Sequence, residues 1–516
     1  MSPPKCSGDG VHASSSTTTA FILLICLSIL PNPITSSSDI GFTSVVISEK
    51  GLDFAKDILI QLGVNSLTPL ELPEITKSVN IPLIGGVKMS LKDIVITSVN
   101  VGESEIEVGE SGIVVGATGG NAKLGMDWRY SYSTWLIIPI EVSDQGSATV
   151  ETKGMEIELK MTMKNQDGNL KLTLLHCVCN MKELFVTLDG GTSWLYQGLI
   201  DAFEDQIRTA VEKAITQKIV EGIKSLDSML QKIPKEVKVD DVVSLNVTFM
   251  DDPLFGNSFI EFDIDGLFVS SNFIEANRVP EKLLKDTSSS RVPCQRLEML
   301  GISLDQAVFN TASALYFQAG LMHLTVDNVP DQPLMNTAGW RFIIPKLYKK
   351  YPNDDMALNI SLTSPPEIII TSEAIATTLY SDLTVDVLDS GVLIPVACIS
   401  VTISASGVME ISGNNLTGQA KLESFSLDLK WSNVGNFYMS LIEKAIWTFL
   451  NNFFIPQVNR HLEKGFPLPI ISGFSLENSI ISLSDSTISV CSDVNYKEVG
   501  SPSTITNFKP KRLDKN

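Results

Sequence analysis

The side chains with chemical reach in this chain are few and scattered. His176, Cys177 and Cys179 lie together in the run His176-Cys177-Val178-Cys179. On a strand, residues two apart face the same side, so the two thiols could share a soft metal ion, or one of them could enter a disulfide. No second Cys-x-Cys or Cys-x-x-Cys completes a tetrahedral set, so Cys177 or Cys179 is expected in a structural disulfide and no metal is expected. His323 and His461 stand alone in distant segments, and packed or solvated histidines are the simpler reading than acid–base catalysis. The carboxylate pairs Glu103 with Glu105, and Asp240 with Asp241, have no apolar neighbourhood to raise a pKa and read as solvated faces. Gly116-Ala117-Thr118-Gly119-Gly120 resembles a phosphate loop but lacks the lysine and the strand-then-helix context, so a turn between strands is expected. Gly-x-Ser-x-Gly, Gly-x-x-x-x-Gly-Lys-Ser/Thr and His-Glu-x-x-His are all missing, and neither a catalytic residue nor a cofactor is expected.

Covalent decoration is the one chemistry with a repeated signal. Asn246-Val-Thr, Asn359-Ile-Ser and Asn415-Leu-Thr are N-glycosylation sequons, which act only in a secretory pathway. Ala20 to Leu30 is apolar, follows a polar segment with Lys5, and precedes Pro31, Pro33 and the small residues Ser36, Ser37 and Ser38. As a helix this stretch would be about 16 Å long, half of the ~30 Å needed to span a bilayer. Residues 1–38 are therefore expected to be a cleaved signal peptide and the product extracellular, with the vacuole or cell wall as other destinations. Cys6 and Cys26 fall in the leader, which leaves an odd set of five cysteines: Cys177, Cys179, Cys294, Cys398 and Cys491.

Composition sets the class. The 516 residues are 44% hydrophobic and 19% charged, with 39 Lys+Arg against 59 Asp+Glu and a formal charge of -20. That balance disfavours nucleic-acid binding by phosphate neutralisation and a polybasic membrane binder. A mean hydropathy of +0.17 is high, yet no run reaches the length of a membrane span. The apolar excess is spread through the fold.

The elements carrying these residues fall into two kinds. Period-two alternation at Ile94 to Val99, Met155 to Met161, Phe259 to Ile264, Leu358 to Leu362, Leu383 to Val387, Phe425 to Leu429 and Ile480 to Leu483 predicts strands of a twisted, largely antiparallel sheet. Helical spacing appears at Glu49 to Val64, with the stripe Leu52, Ala55, Ile58, Leu59 and Leu62. It returns at Trp194 to Ile233, with Leu195, Leu199, Phe203, Ile207, Val211, Ala214 and Ile215. A short helix is expected around Ser303 to Ala319 (Leu304, Ala307, Val308, Ala312, Leu315). A long one is expected from about Phe437 to Lys464 (Leu441, Ile442, Ala445, Phe449, Leu450, Phe453), kinked at Pro456. Short helix, strands, long helix thus occurs twice, roughly 250 residues apart, which predicts two related domains in tandem with a linker near Gln231 to Lys238.

Leu300-Gly301-Ile302-Ser303, Phe309-Asn310-Thr311-Ala312, Gln318-Ala319-Gly320, and Gly465-Phe466-Pro467-Leu468-Pro469 after Asn459 to Lys464 resemble the bactericidal/permeability-increasing and lipopolysaccharide-binding protein family. That family, part of the tubular lipid-binding superfamily, includes the plasma phospholipid and cholesteryl-ester transfer proteins. Ser48 to Ala55 opens like its first helix, Leu72-Pro73 with Ile81-Pro82 looks like its next loop, and Gly190 to Gln197 looks most like its plant members. The resemblance covers about residues 40 to 497. It implies an α+β fold: an elongated boomerang of two tandem barrels, each a twisted antiparallel sheet wrapped on long helices, joined by a central sheet. It places an N-terminal lipid-binding barrel at 39–230, linker and central sheet at 231–258, a C-terminal lipid-binding barrel at 259–497 and a disordered tail at 498–516.

It further implies one apolar lipid pocket per barrel, lined by Leu52, Ala55, Ile58, Leu59, Leu195, Leu199, Phe203, Ile207, Leu304, Val308, Leu315, Leu441, Ile442, Ala445 and Phe449. Burying acyl chains there is favourable by ~0.8 kcal/mol per CH₂. Two departures accompany the resemblance. The family's disulfide joins a strand cysteine, matched by Cys177 or Cys179, to a helix cysteine about forty residues on, and no cysteine stands near Thr216 and Gln217. The cationic N-terminal tip of the lipopolysaccharide binders is replaced by Glu103, Glu105, Glu107 and Glu110. The expected activity is that of a secreted, monomeric, non-enzymatic protein that binds lipopolysaccharide or phospholipid, touches membranes or bacterial envelopes transiently, and serves innate immunity. The alternative is transfer of phospholipid or neutral lipid between membranes.

Overall fold

A computed structural model describes residues 41–81, 85–135, 139–189, 196–271, 298–327, 335–435, 439–471 and 473–497. The expected signal peptide, Leu195, Cys294 and the tail 498–516 lie outside these residues.

All seven alternating stretches form strands, and every pairing among the described strands is antiparallel. In the N-terminal half a seven-stranded sheet runs Leu70–Leu72, Gly85–Asn100, Gly112–Trp135, Pro139–Gln166, Asn169–Asp189, with Ile75–Ile81 paired to the second strand and Glu103–Gly109 to the third. A straight strand of 28 residues, the length of Pro139–Gln166, would run about 90 Å. Twist and bulges curl it instead, with register shifts at Lys160/Met161 and around Gly120. The glycine run Gly116–Gly120 is such a bulge inside a strand, not the turn its composition suggested. Gly119 sits at φ +69°, and a Cβ on Gly120 would meet Met155 Cε at 2.9 Å and Asn100 O at 3.1 Å.

Against this sheet pack α1 (Glu49–Ser66), capped by Ser48 Oγ accepting from Gly51 N at 3.3 Å, and α2 (Tyr196–Leu230). Phe203, Ile207, Val211 and Ile215, at i, i+4, i+8 and i+12, are at most 3% exposed and pack on Ile94, Ile96, Leu124, Trp128 and Val150. Strand Asn169–Asp189 ends the sheet, and α2 covers its open edge. Arg208 donates to Met181 O at 2.5 Å, and Glu212 accepts from Met181 N at 2.9 Å.

The C-terminal half repeats the plan. A second seven-stranded sheet orders His323–Val326, Asp355–Leu362, Ile375–Asp389, Val392–Ser412, Asn415–Ser432 and Phe466–Pro467, with Glu367–Ile370 on Ile375–Asp389. Its helices are α3 (Gln306–Gln318), α4 (Pro345–Lys350), α5 (Met439–Phe449) and α6 (Ile455–Leu462). The short helix starts three residues later than expected. Strand Leu300–Asp305 pairs on both sides, and Asp305 then caps α3 by accepting from Ala307 N at 2.8 Å. The expected kink at Pro456 is a π segment, Leu450–Phe454, in which Ile455 N–H reaches back to Leu450 O. Proline lacks an N–H and its ring crowds the preceding turn, so the helix widens before it.

Between the halves lie two further sheets. Glu236–Lys238 and Val243–Asn246, from the expected linker and central sheet, make a three-stranded one with Phe268–Ser270, a segment expected in the C-terminal barrel. The six-stranded sheet orders Leu254–Phe255, Phe259–Ile264, Thr43–Ser48, Leu300–Asp305, Thr487–Tyr496 and Phe474–Ser484. Both ends of the described chain meet in it, and the Lys50–Asp493 ion pair at 2.6 Å lies beside it.

Candidate functional site

The α5 stripe Ile442, Ala445, Ile446 and Phe449 recurs at i, i+3, i+4 and i+7 and is buried. It closes over the second sheet around an apolar cavity of ≈ 40 Å³. The facing wall comes from Met356, Leu358, Val385, Val396 and Ile399 of the strands, with Trp340 from the 3₁₀ turn Thr337–Trp340, Ile344 just before α4 and Leu347 within it. Thr448 is the polar residue among these walls. Drug-sized ligands sit in pockets of roughly 300–1,000 Å³, so the cavity is a narrow seam that admits an alkyl chain only by widening. The π segment adjoins the seam at Phe453.

The lining residues expected from sequence part into several groups. Ile442, Ala445 and Phe449 line the cavity, whereas Leu441 on the opposite face is 52% exposed, because a stripe one helical turn wide cannot include both Leu441 and Ile442. Phe203 and Ile207 are packed core of the N-terminal half. Leu199 lies in α2 and its side chain is outside the described residues, as is Leu195 altogether. Leu52, Leu304, Val308 and Leu315 join a third, central core with Val45, Ile302 and Phe268, so Leu304, on a strand, and its α3 neighbours belong between the barrels. Ala55 and Ile58 are half-buried, and Leu59 is 42% exposed, since Lys56 takes the buried side of α1.

Two sets of packed apolar residues escaped the sequence reading. Ile223, Leu226 and Leu230 extend the α2 stripe, half-buried against the central core. Trp340, Ile344, Leu347 and Tyr351 have helical spacing that was legible but lies in a segment interrupted by Pro345.

Polar groups at these sites are structural. Lys56 is 5% exposed, ion-paired with Asp53 and Asp57, and donates to Ser104 O at 3.1 Å. Burial alone would lower its pKa, but the two carboxylates hold it above the ordinary lysine value. Asp240 is no solvated carboxylate. Its Oδ1 accepts from Val242 N and Val243 N, and its Oδ2 accepts from Tyr316 OH at 2.6 Å, joining the three-stranded sheet to α3. Burial pulls its pKa upward, but those hydrogen bonds leave it below the ordinary carboxylate range. Glu103, Glu105 and Glu107 do form a solvated strand face, as expected.

The cysteine expectation is overturned: Cys177 and Cys179 are free thiols, as is Cys398, whereas Cys491 is disulfide-bonded to a partner outside the described residues. The facing helix α2 offers Glu212, not a cysteine; burial first, then Glu212 and Cys177, pushes Cys179 up to about 12. Among the described residues no group of three or more His, Cys, Asp or Glu could hold a metal. Of the sequons, Asn246 and Asn415 stand at strand ends, and Asn359 lies within a strand with a buried Oδ1.

Comparison with known proteins follows this architecture. The LBP/BPI/CETP family N-terminal domain matches residues 51–233 and its C-terminal domain residues 237–496. A BPI/LBP family protein of Arabidopsis thaliana is 48% identical over 92% of this chain and 96% of its own. Human lipopolysaccharide-binding protein is 24% identical over 88% of this chain and 93% of its own. A crystal structure of lipopolysaccharide binding protein superposes with a TM-score of 0.63 at 18% identity, covering 89% of this chain and all of that one, which confirms the two-barrel α+β fold. With matched domains spanning both halves and a close plant relative, the chain belongs to the LBP/BPI/CETP family.

Proposed function

We propose that this chain is a secreted, non-enzymatic lipid-binding protein that takes the acyl chains of phospholipid or lipopolysaccharide into the seam beneath α5. The observation that carries this reading is the seam itself: an almost wholly apolar lining under an amphipathic helix flanked by a π segment. Each methylene moved there from water contributes ~0.8 kcal/mol, which works against the cost of displacing α5. Relatives named for binding lipopolysaccharide or for increasing bacterial permeability support an innate-immune role. The apolar leader, the Cys491 disulfide and the sequons at Asn246 and Asn415 fit an oxidising route to the cell exterior, whereas Asn359 is held within its strand. The protein acts as a monomer in transient contact with membranes or envelopes. The acidic strand Glu103–Gly109 favours a second reading, transfer of zwitterionic or uncharged lipid between membranes, for which negative charge is no handicap.

A fluorescent fatty-acyl probe tests the seam. Saturable binding to purified chain is expected, displaced by phospholipid or lipid A, with Ala445→Phe weakening it at least tenfold by filling the space. A well-folded chain that never binds the probe, or an Ala445→Phe variant that binds it equally well, would sink the proposal. Donor-to-acceptor vesicle assays separate holding from transfer.

A further inference from the structure

One end of the C-terminal half has a surface unlike the rest of the chain. In a protein of net charge -20, residues 335–353 hold Arg341, Lys346, Lys349 and Lys350 and no Asp or Glu. All four cations are exposed, and none is ion-paired among the described residues. Beside them Phe342 is 81% exposed, the highest value of any large apolar side chain among the described residues, with Arg341 Cζ 4.4 Å from its ring centroid. Ile344, Leu347 and Tyr351 are buried, so this arrangement is pinned from beneath.

Strand pairing brings a second apolar element to the same end. Thr337 N donates to Asp354 O at 2.9 Å and Asn336 bridges Asp355; Asp355 stands opposite Leu388, and Leu388 opposite Leu393. The hairpin connecting those last strands therefore projects beside the basic segment, carrying Val392 at 62% and Leu393 at 51% exposure. Among the described residues three carboxylates stand at this end: Asp354 directly after the basic segment, Asp355, which accepts from Asn336, and Asp389, which accepts from Ser390, so four cations face three anions spread along the strand ends and the turn before them. Trp340, Ile344 and Leu347, from the same short segment, also line the α5 seam.

We propose that this end docks on a bilayer surface containing anionic lipid. Phe342, Val392 and Leu393 enter the boundary between headgroups and acyl chains, and Arg341, Lys346, Lys349 and Lys350 pair with headgroup phosphates. Charge complementarity selects the occupant. Exposed aromatic and aliphatic side chains beside cations without ion pairs among the described residues match an interface that is apolar within and anionic at its surface. Docking there brings the part of the seam walled by Trp340, Ile344 and Leu347 towards the bilayer, and only that consequence rests on the lipid-binding reading above.

Sedimentation with vesicles of phosphatidylcholine alone, or with one-third phosphatidylglycerol, tests the docking on the full mature chain. Each cation near an anionic surface is worth about fivefold in affinity. Tight, salt-sensitive binding to the anionic vesicles is expected, with a loss of at least tenfold in the triple variant Lys346→Glu, Lys349→Glu, Lys350→Glu. The single variant Phe342→Ala, at a side chain that supports no packing, should weaken binding severalfold, and it keeps the test decisive if the triple variant does not fold. A charge-matched control, Lys171→Glu, Lys213→Glu, Lys224→Glu, should bind nearly as wild type. Equal binding to both vesicle types, or equal losses in control and tip variants, overturns the proposal. The acyl probe is read in parallel without vesicles. Probe binding that persists without docking leaves the seam standing alone, and docking without probe binding removes the seam and leaves the tip.

Discussion

Asp305 shows how one side chain serves two masters at the strand-to-helix junction. Its Oδ1 caps α3, whereas Oδ2 is buried without a hydrogen-bond partner among the described residues, and burial raises its carboxyl above the ordinary carboxylate range despite the Ala307 N–H. A folded-state pKa raised above the unfolded ~3.9 means the protonated form folds better. The benefit is complete below about pH 4 and is lost as pH rises through the raised value. Asp305→Asn keeps the cap and discards the buried charge, so it should match wild type near pH 4 and become the more stable of the two towards neutrality. Asp305→Ala loses the cap and should cost about 1 kcal/mol near pH 4, but less towards neutrality, where it also discards the buried charge. Urea titrations at two pH values decide this; an asparagine variant less stable than wild type at pH 7 would show that the carboxylate has a partner.

At the scale of elements the question is which apolar stripe is wall and which is core. Phe203 is 1% exposed and fully packed, so Phe203→Ala should cost about 3–5 kcal/mol and leave α2 poorly anchored. Phe449 already borders a void, so Phe449→Ala should cost less and instead change acyl-probe affinity. Chemical denaturation of the two variants beside probe titration reads both effects; equal stability losses with unchanged probe binding would make α5 ordinary core. Sequence periodicity found both helices because an amphipathic stripe is a local property. It could not rank them, because a void depends on how distant strands such as Asp355–Leu362 and Val392–Ser412 curve beneath the helix. For the same reason Leu304 was read onto a helix: its spacing to Val308 is helical, but pairing with Thr43–Ser48 and Thr487–Tyr496 claims it for a strand. Cys177 and Cys179 were misread although the missing helix cysteine was already visible in the sequence: a strand thiol facing Glu212 has no sulfur opposite it to bond.

Across the whole molecule the cores divide unequally. The N-terminal core is built from residues between Leu67 and Ile215, and the C-terminal core from residues between Trp340 and Ile455. The central core draws on both ends of the described chain, from Val45 to Val490. Strand Thr43–Ser48 lies between Phe259–Ile264 and Leu300–Asp305, so both of its hydrogen-bonding edges are supplied from beyond residue 250. We therefore propose the domain boundary near 231–258 as a boundary of cores and not of sheets. A fragment of residues 41–233 then retains everything its own core needs and loses both partners of its first strand. Amides of α2 between Phe203 and Ile215 should stay protected from hydrogen exchange in the fragment, whereas those of Val45 to Ile47, protected in the full chain, should exchange at rates near those of an unfolded peptide. If they stayed protected in the fragment, α1 alone would be holding the strand; if α2 also lost protection, the N-terminal core would depend on the central one, and the two halves would fold as a single unit.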